Sequence, residues 1–191
     1  MKVVHNQTKE SDKNLFLFIL GNGEKELQLY NELEANIVQC HIDSDGHNIT
    51  QEELYSEKNV NHLMLEFVEI IKTYQSKNKG VNFVFVGSEK NAEVTLDLLL
   101  KENELIEGAV LIKPILNIGI TDGLRIEDNT KVLIIEGSGE SDEKHEAEEE
   151  VADILAVNGY EVTVVEIDEN ENLSQSDIQE SINWIKQEFY S

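Results

Sequence analysis

The sequence predicts one α/β domain built on a mostly parallel sheet of about six or seven strands flanked by helices, and three observations predict it. Short apolar runs rich in Val, Ile and Phe recur along the chain. Segments of helical period separate them, and no repeat, low-complexity tract or Pro/Ser-rich linker divides the whole. The first run, Leu15–Leu20 (LFLFIL), is continuous and ends at Gly21, as expected of a strand buried on both faces of a parallel sheet. Asn36–Ile42, Asn82–Val86, Ala109–Ile112, Lys131–Ile135 and Glu161–Ile167 read as further strands, with Lys2–His5 at best an extra edge strand. Helical spacing marks Lys25–Glu34, Glu53–Gln75, Lys90–Lys101, Asp142–Val157 and Asp177–Phe189. Ser141 suits an N-cap, the acidic run after it suits the positive end of the helix dipole, and Asn158-Gly159 supplies a left-handed stop. Ile115–Thr130, directly after the single proline, Pro114, has no clear element and reads as a loop at the sheet's C-terminal edge.

With 191 residues, 40% of them hydrophobic, the chain can fill one core, so residues 1–191 are read as a single domain. Its 39 acidic and 15 basic side chains give a formal net charge of −24, a field that repels phosphate backbones and anionic lipid. Nucleic acid and membrane surfaces are therefore excluded as partners. No stretch approaches the roughly 18 apolar residues of a membrane span, and MKVVHNQTKESDKN lacks the apolar centre of a signal peptide, so a cytoplasmic location is expected. The lone Cys40 fits a reducing compartment and reads as a buried strand residue. Gly21-Asn22-Gly23 is too short for a dinucleotide or phosphate-loop fingerprint, and no cofactor is expected.

In an open parallel sheet, chemistry sits beyond the carboxyl ends of the strands. The stretches there read ILGNGEKELQLY, VFVGSEKNAEVTLDLLL, EGAVLIKPIL, KVLIIEGSGESDE and NGYEVTVVEIDENENLSQSDIQESINWIK. In that order they resemble five parts of an α/β-hydrolase of the small, lidless carboxylesterase/phospholipase (dienelactone-hydrolase-like) branch. These parts are the oxyanion turn, the nucleophile elbow with its helix, the next strand with its proline, the strand before the acidic triad member, and the last strand with histidine loop and closing helix. The elbow of that family usually reads Gly-x-Ser-x-Gly. Matching Gly87 to the first glycine puts Glu89 at the nucleophile position and Asn91 at the second glycine. Counting from Gly137 puts Glu140 at the acidic position, and matching Leu173-Ser174 to the family's Leu-Thr puts Glu171 where histidine belongs. Leu20 replaces the oxyanion histidine, while Gly21 and Gly23 remain. No histidine follows His145. The resemblance thus implies the fold with a degenerate catalytic triad, no general base to activate a serine, and an elbow turn that is free to relax.

Other constellations offer less. Ser88 as a rescue nucleophile shifts the side chain to the wrong side of the elbow and puts Val86 and Lys90 at its glycine positions. His5, His41, His47, His62 and His145 all precede the last strand. HIDSDGH (41–47) carries two imidazoles and two carboxylates without matching a metal signature, and is read as a polar turn. DEKHEAEEE lacks the HExxH spacing and is read as a solvated helix start. If the triad positions converge within about 10 Å, Glu89, Glu140 and Glu171 share one site, relieved by raised pKa values, a cation such as calcium or magnesium, loops moving apart, or Lys90 beside Glu89. The expectation is a pseudoenzyme that binds a small ligand or a protein partner. The alternatives are an active carboxylesterase or thioesterase using Ser88 or Cys40, and a structural partner of an active paralogue, with a homodimer compatible with either.

Overall fold

The computed structural model describes residues 2–21, 27, 30–43, 57–101, 103–114, 130–138, 141–168 and 173–190. Seven strands form one sheet: β1 Lys2–Lys9, β2 Leu15–Leu20, β3 Asn36–Asp43, β4 Asn82–Ser88, β5 Gly108–Ile112, β6 Lys131–Gly137 and β7 Glu161–Ile167. Their order is β1-β3-β2-β4-β5-β6-β7, and every pair is parallel except the edge strand β1 against β3. The helices are α1 Glu57–Lys77, α2 Lys90–Lys101, α3 Asp142–Val157 and α4 Gln175–Phe189.

All six residues of β2 are buried, as their unbroken apolar run requires of a central strand. Successive side chains alternate between two cores. Phe16, Phe18, Phe83, Phe85 and Leu111 face α1, α2 and α3, where Phe18 and Phe85 stack with ring centroids 4.7 Å apart. Leu17, Val84, Val110 and Leu133 face α4 and the segment that includes Tyr30 and Leu33. At the edges, β7 buries none of its residues fully. The expected caps are present: Ser141 accepts a hydrogen bond from Lys144 N, and Gly159 follows α3 at φ 93°.

The expected elements recur with small differences. The N-terminal segment is a full eight-residue strand, β4 and β6 each run two residues further, α1 continues to Lys77, and α4 begins at Gln175. Of the helix expected over Lys25–Glu34, residues 25, 26, 28 and 29 fall outside the described residues, Leu27 and Tyr30 are helical, and residues 31–34 form a turn and bend instead; residues 115–129 of the expected loop also fall outside the described residues. Among the described residues no helix is long and apolar enough to cross a membrane.

Two carboxyls on the α2 side are held above their usual range. Burial raises Asp97, with Glu93 adding to it and Lys101 opposing, and burial raises Glu107 although Phe83 N donates to it at 2.6 Å. The folded chain therefore holds protons on both groups more tightly than the unfolded chain, so stability falls as pH rises from their ordinary values through their raised ones. Asp97→Asn should remove part of that slope: urea denaturation at neutral pH should find the variant as stable as the parent or more so, with the advantage lost near pH 4.

Candidate active site

The carboxyl ends of β2 and β4 lie side by side, with Leu20 opposite Gly87 in register. From these neighbours the chain departs to opposite faces of the sheet, since Tyr30 and Leu33 pack with α4 whereas α2 packs with α1 and α3. This is the switch point where an open α/β sheet forms its crevice. Gly21, at φ 145°, makes the first turn and donates from N to Cys40 O at 2.9 Å.

The second turn is tighter. A Cβ on Gly87 would come 2.4 Å from Asn91 O and 2.5 Å from Thr95 Oγ1, so only glycine lets β4 and α2 approach this closely. Between them Glu89 takes φ 51°, a left-handed conformation that costs a non-glycine residue of the order of 1 kcal/mol or more. Its N–H donates to Ile112 O at 2.9 Å, and its C=O accepts from Ala92 N at 3.2 Å. The turn is thus tight and hydrogen-bonded, with a glutamate at its tip. Lys90 does not serve as the counter-charge foreseen for Glu89; its Nζ lies 3.3 Å from Glu93 Oε2.

At the next strand end the same strain recurs. Lys113 has φ 45°, and its N–H donates to Ile135 O at 2.7 Å. Its side chain, 5% exposed, runs into the interior, where Nζ meets Asp177 Oδ2 at 2.8 Å; the Asp177 side chain is 0% exposed. The same oxygen accepts from Ser174 N at 2.7 Å, and Ser174 Oγ accepts from Asp177 N at 3.1 Å, a reciprocal capping box that starts α4. This buried pair ties β5 to the N-terminus of the closing helix. Neither residue was singled out from the sequence, although S-x-x-D before an apolar helix is a legible cap signal. The lysine between a buried strand and a proline gave no such sign.

Ser88, the last residue of β4, points instead to a small cavity lined with Ile19, Leu20, Tyr30, Val86 and Ile112. Its volume of about 10 Å³ is room for at most one water. The histidines that the structure describes are engaged elsewhere. His62 lies 3.5 Å from Glu66, His145 lies 3.1 Å from Glu136, His5 packs edge-on against Tyr74, and His41 sits within β3 opposite Val4. Burial pushes the Cys40 thiol up to about 12. Glu140, Glu171, Gly23 and His47 lie outside the described residues, and Ser138 and Asp168, the last described residues before Glu140 and Glu171, are joined by a 2.8 Å hydrogen bond.

No family model and no curated protein matches the sequence significantly. Solved structures do match over nearly the whole chain. A carboxylesterase from Bacillus cereus is 20% identical with a TM-score of 0.77, covering 98% of this chain and 94% of its own. The fold is that of the small α/β-hydrolases. A carboxylesterase from Mesorhizobium loti (18% identity, TM-score 0.69, coverage 92% and 90%) agrees. So does a phospholipase/carboxylesterase from Dyadobacter fermentans (13%, 0.68, 96% and 95%). The Gly87–Asn91 turn is the stretch whose sequence resembles the nucleophile elbow of that fold.

Two substitutions test this geometry. Glu89→Gly should relieve the left-handed turn and stabilise the chain by about 1 kcal/mol, whereas Glu89→Val should destabilise it by at least as much, both read from urea midpoints. Lys113→Met leaves the Asp177 carboxylate buried beside an apolar chain and should cost about 3–5 kcal/mol; the double change Lys113→Met/Asp177→Asn should recover much of that loss in the same measurement.

Proposed function

We propose that this chain is an α/β-hydrolase-fold protein without hydrolase activity, acting through binding of a small ligand or a protein partner at the edge that carries its elbow. The observation that carries this reading is Glu89 in the strained tip of a retained elbow, at φ 51°. A nucleophile at that tip needs a neighbouring base held by a third group. Glutamate is poorly nucleophilic toward esters, and among the described residues no histidine is hydrogen-bonded at this edge to Glu89 or Ser88. The cavity beneath Ser88 is too small for an acyl chain, which supports the same reading.

The alternative nucleophiles are weaker on physical grounds. A Cys40 thiol raised to about 12 leaves roughly one thiolate in 100,000 at neutral pH, and Cys40 sits in the core between β3 and α1. Ser88 belongs to the strand rather than to the turn. An inactive chain that pairs with an active relative is a special case of the protein-partner reading.

The experiment is direct. Incubation with a fluorophosphonate probe and with short-chain nitrophenyl esters should give neither labelling nor hydrolysis above a heat-denatured control, and iodoacetamide should leave Cys40 unmodified until the chain is unfolded. Glu89→Ser alone should not create measurable esterase activity, because the hydroxyl gains no base. Stoichiometric labelling that Ser88→Ala abolishes, or ester hydrolysis sensitive to Cys40→Ala, overturns the reading.

A further inference from the structure

The run DEKHEAEEE is not solvated throughout. Helix α3 packs Ala147, Val151 and Leu155 inward, and Glu148 lies on that same face, three residues before Val151 and seven before Leu155. Glu148 is 0% exposed. Opposite it, Glu136 at the end of β6 projects to the same side of the sheet as Val132 and Ile134, and is 3% exposed. His145, whose side chain is 48% exposed, closes the group from the solvent side.

One nitrogen or oxygen from each of Glu136, His145 and Glu148 lies within 4.8 Å of the others. His145 Nδ1 is 3.1 Å from Glu136 Oε2, while its Nε2 faces Glu149 Oε1 at 3.6 Å. Lys144 Nζ stands 3.8 Å from Glu148 Oε1. We propose that Glu136, His145 and Glu148 form a binding site for one divalent first-row transition ion, with Zn²⁺ as its probe.

Four features of the geometry support this assignment. The donors come from two elements, β6 and α3, and include an imidazole. That suits zinc, manganese or cobalt better than calcium or magnesium, which take oxygen ligands. Bonds of about 2.0–2.1 Å to a tetrahedral ion place its ligand atoms about 3.4 Å apart, so separations of up to 4.8 Å close when each ligand atom moves by about 0.7 Å. The second ring nitrogen of His145 is directed at Glu149, the carboxylate–histidine arrangement that orients a metal-bound imidazole. Finally, the half-exposed imidazole leaves an entry path and a water-accessible coordination position, while the two carboxylates are already desolvated.

The proposal is tested on the full chain with Zn²⁺ by calorimetric titration and with Co²⁺ by visible d–d absorption. Because a chain of net charge −24 attracts dications diffusely, both are run in at least about 0.15 M salt with Ca²⁺ as comparison. The expected result is one Zn²⁺ per chain, affinity at least about ten-fold lower in His145→Ala and in Glu148→Gln, and no change in the exposed-site variant Glu104→Gln. Co²⁺ should show a d–d band that His145→Ala removes. If Glu148→Gln does not fold, His145→Ala carries the test, since its side chain is half in solvent. Sub-stoichiometric binding, binding equal for Ca²⁺ and Zn²⁺, or binding indifferent to His145→Ala overturns the site.

Discussion

At Gly87 the backbone of β4 meets the first turn of α2 more closely than any side chain permits, with Asn91 O only 2.4 Å from where a Cβ would stand. Much of the local architecture follows from that contact. To enter α2 so abruptly the chain must reverse within the intervening residues, and Glu89 absorbs the reversal at positive φ. The turn is held by hydrogen bonds on both sides: Glu89 N to Ile112 O on the neighbouring strand, and Ala92 N back to Glu89 O. Strain of this kind persists only where the surroundings over-determine it, and here a parallel strand and a packed helix both do. None of those contacts involves the side chain at residue 89. The turn is thus held by backbone contacts rather than by the side chain at its tip.

A second constraint acts on the opposite face of the sheet. Lys113 and Asp177 are buried together, and the pair joins the end of β5 to the start of α4, while the elbow joins the end of β4 to the start of α2. Two adjacent strand ends are thereby fastened to helices on opposite sides. In a chain with so large an acidic excess, a buried lysine is the scarcer component. Its burial is tolerated because Asp177 faces it and is itself fixed by the capping box. The ion pair therefore specifies where the closing helix begins more than it adds to net stability.

The strands were legible because burial on both faces leaves nothing but apolar residues to write them with; Leu15–Leu20 was read to the residue. Where that condition lapses, reading became harder. β1 faces solvent along most of its length and buries only Val3, so KVVHNQTK carries a weak strand signal although all eight residues lie in the strand. The last two residues of β4 and β6, Gly87-Ser88 and Glu136-Gly137, continue the ladder through backbone hydrogen bonds that composition does not reveal. The glycine of the turn after β4 was readable, but the strain at Glu89 was not, because it depends on contacts across three elements. Glu148 was misread for a different reason: among five glutamates, composition suggests solvent, and only the spacing to Val151 and Leu155 places it inside.

Position and chemistry thus separate in this molecule. The scaffold fixes where a reactive group would be presented, through Gly21, Gly87 and the register of Leu20 against Gly87. Hydrolysis requires a set of groups, a nucleophile with a base and an orienting acid, and removing members of such a set does not leave a proportionate remainder. The described histidines illustrate the point. His62 is paired with Glu66 along α1, and His145 is directed at Glu136 and Glu149 around the start of α3. Each has an acidic partner of the kind that orients a catalytic imidazole. The likeness to solved carboxylesterases is a likeness of fold, and a fold of this kind sets where a reactive group is presented without supplying the group itself.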